Sequence, residues 1–337
     1  MFRVAIIEGD GIGPEVISAA LKVLSHVVSK YNLNLDIIKV EAGDGAYRKY
    51  GSPLPEDSWR KIINSDVILK APVGETAGDV VVKIRRELDL YANIRPSRTY
   101  PNVPCLRPGI DLVIARENTE DVYVRAEYML SNNVAVALRV ISKKASERIA
   151  RIAFKLAMER KRKVTIVHKA NVMTISDGLF RSTVREVSKE FPEVQVDEMY
   201  IDAAVMDLVR RPERFDVIVT TNLFGDILSD LAAYVTGSIG LAPSANIGDE
   251  KAMFEPIHGA AFDIAGKGIA NPTAMILCTA WMLKWLGTKH KLENYINAGL
   301  AIERAIEETL SEALKLTPDL GGSAKTEEFT QEVLKRI

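Results

Sequence analysis

Short runs of β-branched and aliphatic residues alternate along this chain with longer stretches in which apolar residues recur every three or four positions. The first pattern suits buried strands and the second amphipathic helices, so the alternation predicts an α/β fold with helices covering a sheet. Strands are predicted at 4–7, 36–40, 66–69, 111–115, 164–167, 194–196 and 216–220. The clearest helix is 142–160, where Ile149, Ile152, Ala153, Leu156 and Ala157 recur at helical spacing. Further helices are predicted at 14–30, 79–90, 177–190, 226–235, 272–286 and 292–314, with Pro14 suited to a first turn.

Between 122 and 140 the pattern changes. Val134, Val136, Leu138 and Val140 alternate with small or polar residues, which predicts a β-ribbon projecting from the α/β body. Such a ribbon needs a second sheet to pair with, and a homodimer supplies one. No repeat, low-complexity tract or flexible linker divides the chain, so two domains built from interleaved segments are expected.

At 337 residues the chain exceeds the size at which one core usually stops growing. A net charge of −1 argues against a nucleic acid held by bulk electrostatics, so an anionic ligand needs a local arginine cluster. No uncharged apolar run reaches the roughly 18 residues of a membrane span, and the first residues lack the pattern of a signal peptide. Cys105 and Cys278 are the only cysteines and form no Cys-x-x-Cys motif, which fits a reducing cytoplasm. Only two glutamines, Gln195 and Gln331, stand beside abundant Lys, Arg and Glu, a composition that hints at a thermophilic source.

Asp226 and Asp230 lie one turn apart in an otherwise apolar helical segment. Like charges at that spacing destabilise a helix by roughly 0.2–0.5 kcal/mol, whereas a shared hard cation such as Mg²⁺ or Mn²⁺ makes sense of them. A helix N-terminal Asp followed by an exposed Asp reads the pair equally well. Gly9-Asp10-Gly11-Ile12-Gly13-Pro14 follows the first strand but lacks the spacing of a dinucleotide fingerprint, so a tight strand-to-helix turn is at least as good a reading. Arg85, Arg95 and Arg116 form a set able to clamp a polycarboxylate bidentately, although each alone reads as a surface ion-pair partner. Tyr123 and Lys169 are candidates for proton transfer, Lys169 at a strand end; alone, each also reads as a packing or surface residue. His258 falls in a segment, 254–259, that reads as a shaped binding loop.

Gly-Asp-Gly-Ile-Gly-Pro-Glu at 9–15, Asn-Ile-Arg-Pro at 93–96, Arg-Glu-Asn at 116–118, His-Lys-Ala-Asn at 168–171, Asn-Leu-Phe-Gly-Asp-Ile-Leu-Ser-Asp at 222–230, Glu-Pro-Ile-His-Gly at 255–259 and Gly-Ile-Ala-Asn-Pro at 268–272 occur in order. Together they closely resemble the isocitrate/3-isopropylmalate dehydrogenase family across essentially the whole chain. The resemblance implies two α/β domains with a mixed sheet, not a Rossmann fold, and a projecting β arm. The larger domain, 1–91 with 237–337, would carry the cofactor-binding loops; the smaller, 92–236, would carry the dimer interface and the arm at about 122–141.

It further implies NAD- and metal-dependent oxidative decarboxylation of a 2-hydroxy-3-carboxy acid. Arg85, Arg95 and Arg116 would hold substrate carboxylates, and Asp226 and Asp230 would join Asp202 on Mg²⁺ or Mn²⁺. Lys169 would take the hydroxyl proton and Tyr123 would protonate the product enol, with Lys169 and Asp202 supplied by the neighbouring subunit of a homodimer or tetramer. Ile12, Glu255, His258, Gly259, Asp263, Asn271 and Asp319 match cofactor contacts. Asp263 would accept the adenosine ribose hydroxyls and repel a 2′-phosphate, favouring NAD, while Phe262 departs from the proline usual before it. Val81 and Val82 would face the variable end of the substrate, where isocitrate enzymes place serine and asparagine and homoisocitrate enzymes place arginine at Val82. An apolar pair matches an isopropyl group and leaves a third carboxylate without a donor. The expected substrate is thus 3-isopropylmalate, in leucine biosynthesis. The alternatives are homoisocitrate or isocitrate, toward which Arg116 to Glu120 and Leu88 to Tyr91 lean and which Lys83 could serve, or a non-catalytic regulatory subunit.

Overall fold

The computed structural model describes all residues, 1–337. Its strands are β1 (Phe2–Ile7), β2 (Leu35–Val40), β3 (Val67–Lys70), β4 (Ala92–Arg98), β5 (Asp111–Glu117), β6 (Glu127–Ser131), β7 (Val134–Ala137), β8 (Lys163–His168), β9 (Gln195–Tyr200), β10 (Val217–Thr220), β11 (Pro243–Ile247) and β12 (Ala252–Pro256). Its helices are α1 (Gly13–Lys30), α2 (Asp44–Tyr50), α3 (Glu56–Ile63), α4 (Ala77–Glu87), α5 (Lys143–Met158), α6 (Ser176–Ser188), α7 (Ile201–Arg210), α8 (Asn222–Thr236), α9 (Thr273–His290), α10 (Glu293–Glu312) and α11 (Thr326–Arg336). The fold is α/β with a mixed sheet, as the pattern of alternating runs and the family resemblance both imply.

Ten strands form one sheet in the order β2-β1-β3-β12-β11-β4-β5-β10-β8-β9. The outer pairings are parallel, whereas β11 and β4 run antiparallel to their neighbours in the middle. The first five strands of that order come from residues before 92 or after 236, and the other five from the segment between. Within the sheet the two halves join at the β11–β4 pairing. The main core runs through both halves, with α9 packed on β11 and β12, α10 packed on α9, and α5 beside β5.

β6 and β7 pair only with each other, so the 122–140 segment is a two-stranded ribbon, returned to the body by the Asp121–Val140 bridge. Tyr128, Met129 and Leu130 on it are 54, 59 and 62% exposed, which leaves an apolar patch uncovered. No helix is long and apolar enough to cross a membrane.

Three differences from the sequence reading bear on the site. Residues 254–259 are not all loop, because Ala252–Pro256 is an inner strand between β3 and β11. Helix α8 starts at Asn222, so Asp226 lies in its second turn and is not the helix's N-terminal residue. Strands β4 and β11 and helices α2, α3, α7 and α11 lie outside the predicted set. β4 reads Ala-Asn-Ile-Arg-Pro-Ser-Arg, a run that resembles a loop in sequence, yet Asn93 and Arg95 are buried, Asn93 donating across the sheet to Ser244 Oγ and accepting from Arg95 Nε.

Candidate active site

Helix α8 packs against β4 and β5 and brings Asp226 onto the side chains that those strands present. Arg95, on β4, donates to Asp226 Oδ1 at 3.1 Å and to Ser229 Oγ at 2.7 Å, and lies 3.8 Å from Asp230. Arg116, on β5 and 1% exposed, pairs with the same Asp226 oxygen and donates from Nε and Nη2 to Asn222 Oδ1 at 3.0 and 2.7 Å. Tyr123, in the turn after β5, donates its hydroxyl to the other Asp226 oxygen, and the Arg116 guanidinium lies 5.1 Å from its ring centre. Two buried guanidiniums and a phenol thus converge on one carboxylate. Gly225 permits the approach, since a Cβ there would stand 2.6 Å from Arg116 Cγ.

The electrostatics follow from burial and pairing. Burial opposes the charge of Asp226, but Arg116 and Arg95 outweigh it and hold the carboxyl at about 2. Asp230 is shifted the other way, because burial, helped by Asp226, exceeds the pull of Arg95. Burial pushes the Tyr123 phenol up against the opposing Arg116. Burial lowers Arg116 from its ordinary value, and burial together with Arg116 lowers Arg95. A bound polyanion would relieve this crowding of cations.

Arg85, near the end of α4, joins the cluster from the other half of the sheet. Its Nη2 donates to Glu255 Oε1 at 2.9 Å, while Lys70 at the end of β3 holds Glu255 Oε2 at 2.8 Å and Asn246 donates to Oε1 at 2.8 Å. Burial opposes the charge of Glu255, but Lys70 and Arg85 hold its carboxyl well below the ordinary range. The Arg85 Nε is buried without a partner. Lys70 and Asn246 escape sequence reasoning, because Lys70 ends an apolar strand and only its burial marks it. Val81 and Val82 lie partly exposed one turn before Arg85 on the same helix, whereas Lys83 stacks over Trp59, 5.1 Å from its ring centre.

Lys169 and Asp202 are apart from this cluster. They pair with each other at 2.5 Å, at the end of β8 and the start of α7, and neither contacts Asp226 or Asp230. Asp202 is largely exposed, and its hydrogen bond from Lys169 lowers its carboxyl. No three acidic or His/Cys side chains within one chain gather as a metal site.

The matched cofactor residues collect elsewhere, around the loop 257–271. The turn after β1 abuts this loop: Ile12 N donates to Ala260 O at 2.8 Å, and a Cβ on Gly11, whose φ is +60°, would strike the same oxygen at 1.9 Å. Asn271 Nδ2 and Ser238 Oγ donate to Asp319 Oδ2 at 3.0 and 2.6 Å. His258 is buried, with Nδ1 3.1 Å from Gly259 O and Nε2 without a partner, and burial lowers its pKa. Asp263 is exposed and makes no hydrogen bond or ion pair. Glu255 alone of the matched cofactor residues does not join the group, since Lys70, Arg85 and Asn246 engage it on the arginine side.

Comparison with known proteins gives a consistent picture. The model of the family described as isocitrate/isopropylmalate dehydrogenase matches residues 3–333. A 3-isopropylmalate dehydrogenase of Saccharolobus solfataricus is 54% identical over 99% of both chains. An isocitrate/homoisocitrate dehydrogenase of Thermus thermophilus is 50% identical, with 100% of this chain and 98% of the relative covered. The crystal structure of isocitrate dehydrogenase from Methylococcus capsulatus is similar with a TM-score of 0.93 at 39% identity, covering 100% of this chain and 99% of that one.

Proposed function

The chain belongs to the isocitrate/isopropylmalate dehydrogenase family and is an oxidoreductase, and we propose that it oxidatively decarboxylates 3-isopropylmalate with NAD in leucine biosynthesis. The observation that carries this reading is the convergence of Arg95, Arg116 and Tyr123 on Asp226, one helix turn from Asp230 and joined by Arg85 through the sheet. Arg85, Arg95 and Arg116 would hold the two carboxylates of the acid. Partly exposed Val81 and Val82 offer the distal group an apolar wall, and the Lys83 ammonium is engaged by Trp59. The relative from Saccharolobus solfataricus supports the same substrate.

The donor chemistry fits a hard divalent cation: Asp226 and Asp230 present carboxylate oxygens from one helix face, and Asp202, paired with Lys169, is exposed toward a second copy. Asp226, Asp230 and Asp202 of the partner subunit would hold Mg²⁺ or Mn²⁺. Ile12, His258, Gly259, Asp263, Asn271 and Asp319 would hold NAD, with the partnerless His258 Nε2 and the free Asp263 carboxylate as available acceptors. When bound, the cation supplies positive charge beside the substrate hydroxyl and NAD supplies the hydride acceptor. Lys169 of the partner subunit would take the proton of the C2 hydroxyl. The arginines keep the carboxylates oriented while the 3-carboxylate departs as CO₂, and Tyr123 returns a proton to C3.

A dimer is part of this reading. The apolar patch on β6, together with exposed Ile227 and Tyr234 on α8 and Met206 on α7, supports burial against a second copy. The halves 1–91 with 237–337 and 92–236, joined edge to edge at β11 and β4, would act as two domains closing over the ligands. A second reading, homoisocitrate or isocitrate as substrate, is favoured by Arg125, whose guanidinium pairs with Asp79 near the start of α4 and offers a cation for a third carboxylate. Catalytic efficiency on the three acids with Mn²⁺ and either NAD or NADP tests the proposal. Preference for 3-isopropylmalate and NAD is expected; preference for a tricarboxylic acid would establish the second reading.

A further inference from the structure

Arg139 stands at the base of the β6–β7 ribbon and has no part in the chemistry above, yet its side chain is 14% exposed and fully engaged. Its Nε donates to Asp121 Oδ1 at 2.7 Å and its Nη2 to Asp121 Oδ2 at 3.2 Å and Thr221 Oγ1 at 2.7 Å. Its Nη1 pairs with Asp177, and the guanidinium plane lies 4.7 Å from the Phe224 ring centre. Both aspartate side chains are 0% exposed, so one cation sits between two buried carboxylates and no other cation pairs with either.

The two carboxylates each face a second way. Asp177 Oδ2 accepts from the backbone N–H of Lys169 at 2.5 Å, at the end of β8. Asp121 Oδ2 accepts from the backbone N–H of Leu223 at 3.0 Å, in the first turn of α8, the helix that carries Asp226 and Asp230. Asp121 is also two residues before Tyr123 and holds a φ of +68°, a conformation that an L residue keeps only when its surroundings fix it. A planar five-donor guanidinium can address these acceptors at once, which a lysine cannot.

We propose that Arg139 is a positioning residue: through Asp177 and Asp121 it fixes the placement of Lys169 relative to Tyr123 and the α8 carboxylates. The inference rests on the roles proposed above for those groups. It goes further in making the residue that a subunit lends to its partner, Lys169, and the residues that it keeps, Tyr123 and Asp226, parts of one hydrogen-bonded unit anchored at the ribbon base. Loosening Arg139 therefore disturbs both kinds of contribution together, while the arginine clamp on β4 and β5 stays in place.

Arg139→Lys in the full-length oligomer tests this with two readouts. Backbone hydrogen exchange at Lys169 and at Leu223, 54 positions apart in sequence, is expected to quicken together by at least about 10-fold while β1 stays protected. In steady state, kcat is expected to fall at least about 10-fold with KM for the acid within about 3-fold, the pattern of lost alignment with retained binding. Should Arg139→Lys not fold, Asp177→Asn serves. It should quicken exchange at Lys169 and lower kcat, while Leu223 stays within about 2-fold of wild type because Asp121 remains paired. Unchanged exchange at Lys169 overturns the inference whatever the enzyme turns over. Altered exchange with an unaltered kcat in an active wild-type background overturns the positioning role. A wild type inactive on all three acids would instead count against the proposed function, leaving the exchange result to decide on the linkage.

Discussion

Gly225 lies against the stem of Arg116 so closely that a Cβ on the glycine would stand 2.7 Å from Arg116 Cβ and 2.6 Å from its Cγ. A glycine in the first turn of α8 is a weak helix former, by about 1 kcal/mol relative to Ala, and the contact explains its presence. Gly225→Ala is expected to gain nothing in stability, because overpacking costs about 1–3 kcal/mol. It should also lower kcat/KM by roughly 10- to 100-fold by displacing the Arg116 guanidinium. Thermal unfolding and steady-state kinetics check both; full activity in the variant would show that Arg116 tolerates displacement.

The proposed specificity contacts, Val81 and Val82, lie on the partly exposed side of α4. Val82→Arg puts a cation where the structure has an apolar side chain one turn before Arg85. The ratio of kcat/KM for homoisocitrate over 3-isopropylmalate should rise by at least about 10-fold, since a charge-assisted hydrogen bond is worth roughly 1.5–3 kcal/mol. An unmoved ratio would remove Val82 from the specificity set.

The Lys70–Glu255–Arg85 group makes an acid-stability prediction. Because the Glu255 carboxyl is held below its unfolded value, its stabilisation is fully present above about pH 4.3 and is lost as pH falls toward the folded value. Glu255→Gln should destabilise the protein at pH 7 by about 3–5 kcal/mol, because it strands two buried cations. The gap from wild type should narrow at pH 3. Urea unfolding at the two pH values measures it, and an equal gap at both would contradict the assignment.

The proposed sharing of sites between subunits predicts complementation. Lys169→Ala and Asp226→Asn should each be inactive alone, yet co-refolded they should recover roughly a quarter of wild-type activity, because mixed dimers keep one intact site. No recovery from a mixture shown to contain mixed dimers would place Lys169 and Asp226 in the same subunit's site. Chelation with EDTA should abolish turnover in every active sample and Mn²⁺ restore it.

Much of the fold was legible where local pattern and tertiary role agree. Residues 142–160 read as a helix because its apolar face is also its buried face, and β1, β5, β8 and β10 read as strands because both faces are covered. Legibility failed where function put polar groups inside. β4 is hidden by Asn93 and Arg95, and β12 by Glu255 and Pro256, so that buried strands looked like loops. Helix α7 follows β9 without a break, leaving no turn residues to announce it.

By itself the sequence determined the α/β class, the projecting ribbon and, through motifs in order along the whole chain, the family. It also singled out Arg85, Arg95, Arg116, Tyr123, Lys169 and the three aspartates Asp202, Asp226 and Asp230, but not Lys70, Arg139, Asp121 or Asp177, whose burial and pairing alone mark them. The tertiary structure alone decided how they pair: Glu255 with Lys70 and Arg85, Asp226 with Arg95 and Arg116, Lys169 with Asp202, and Arg139 with Asp121 and Asp177. The reason is physical. Periodicity records which way a side chain faces on its own element, whereas a buried charge is settled by whichever opposite charge the folding of distant segments brings within a few ångströms.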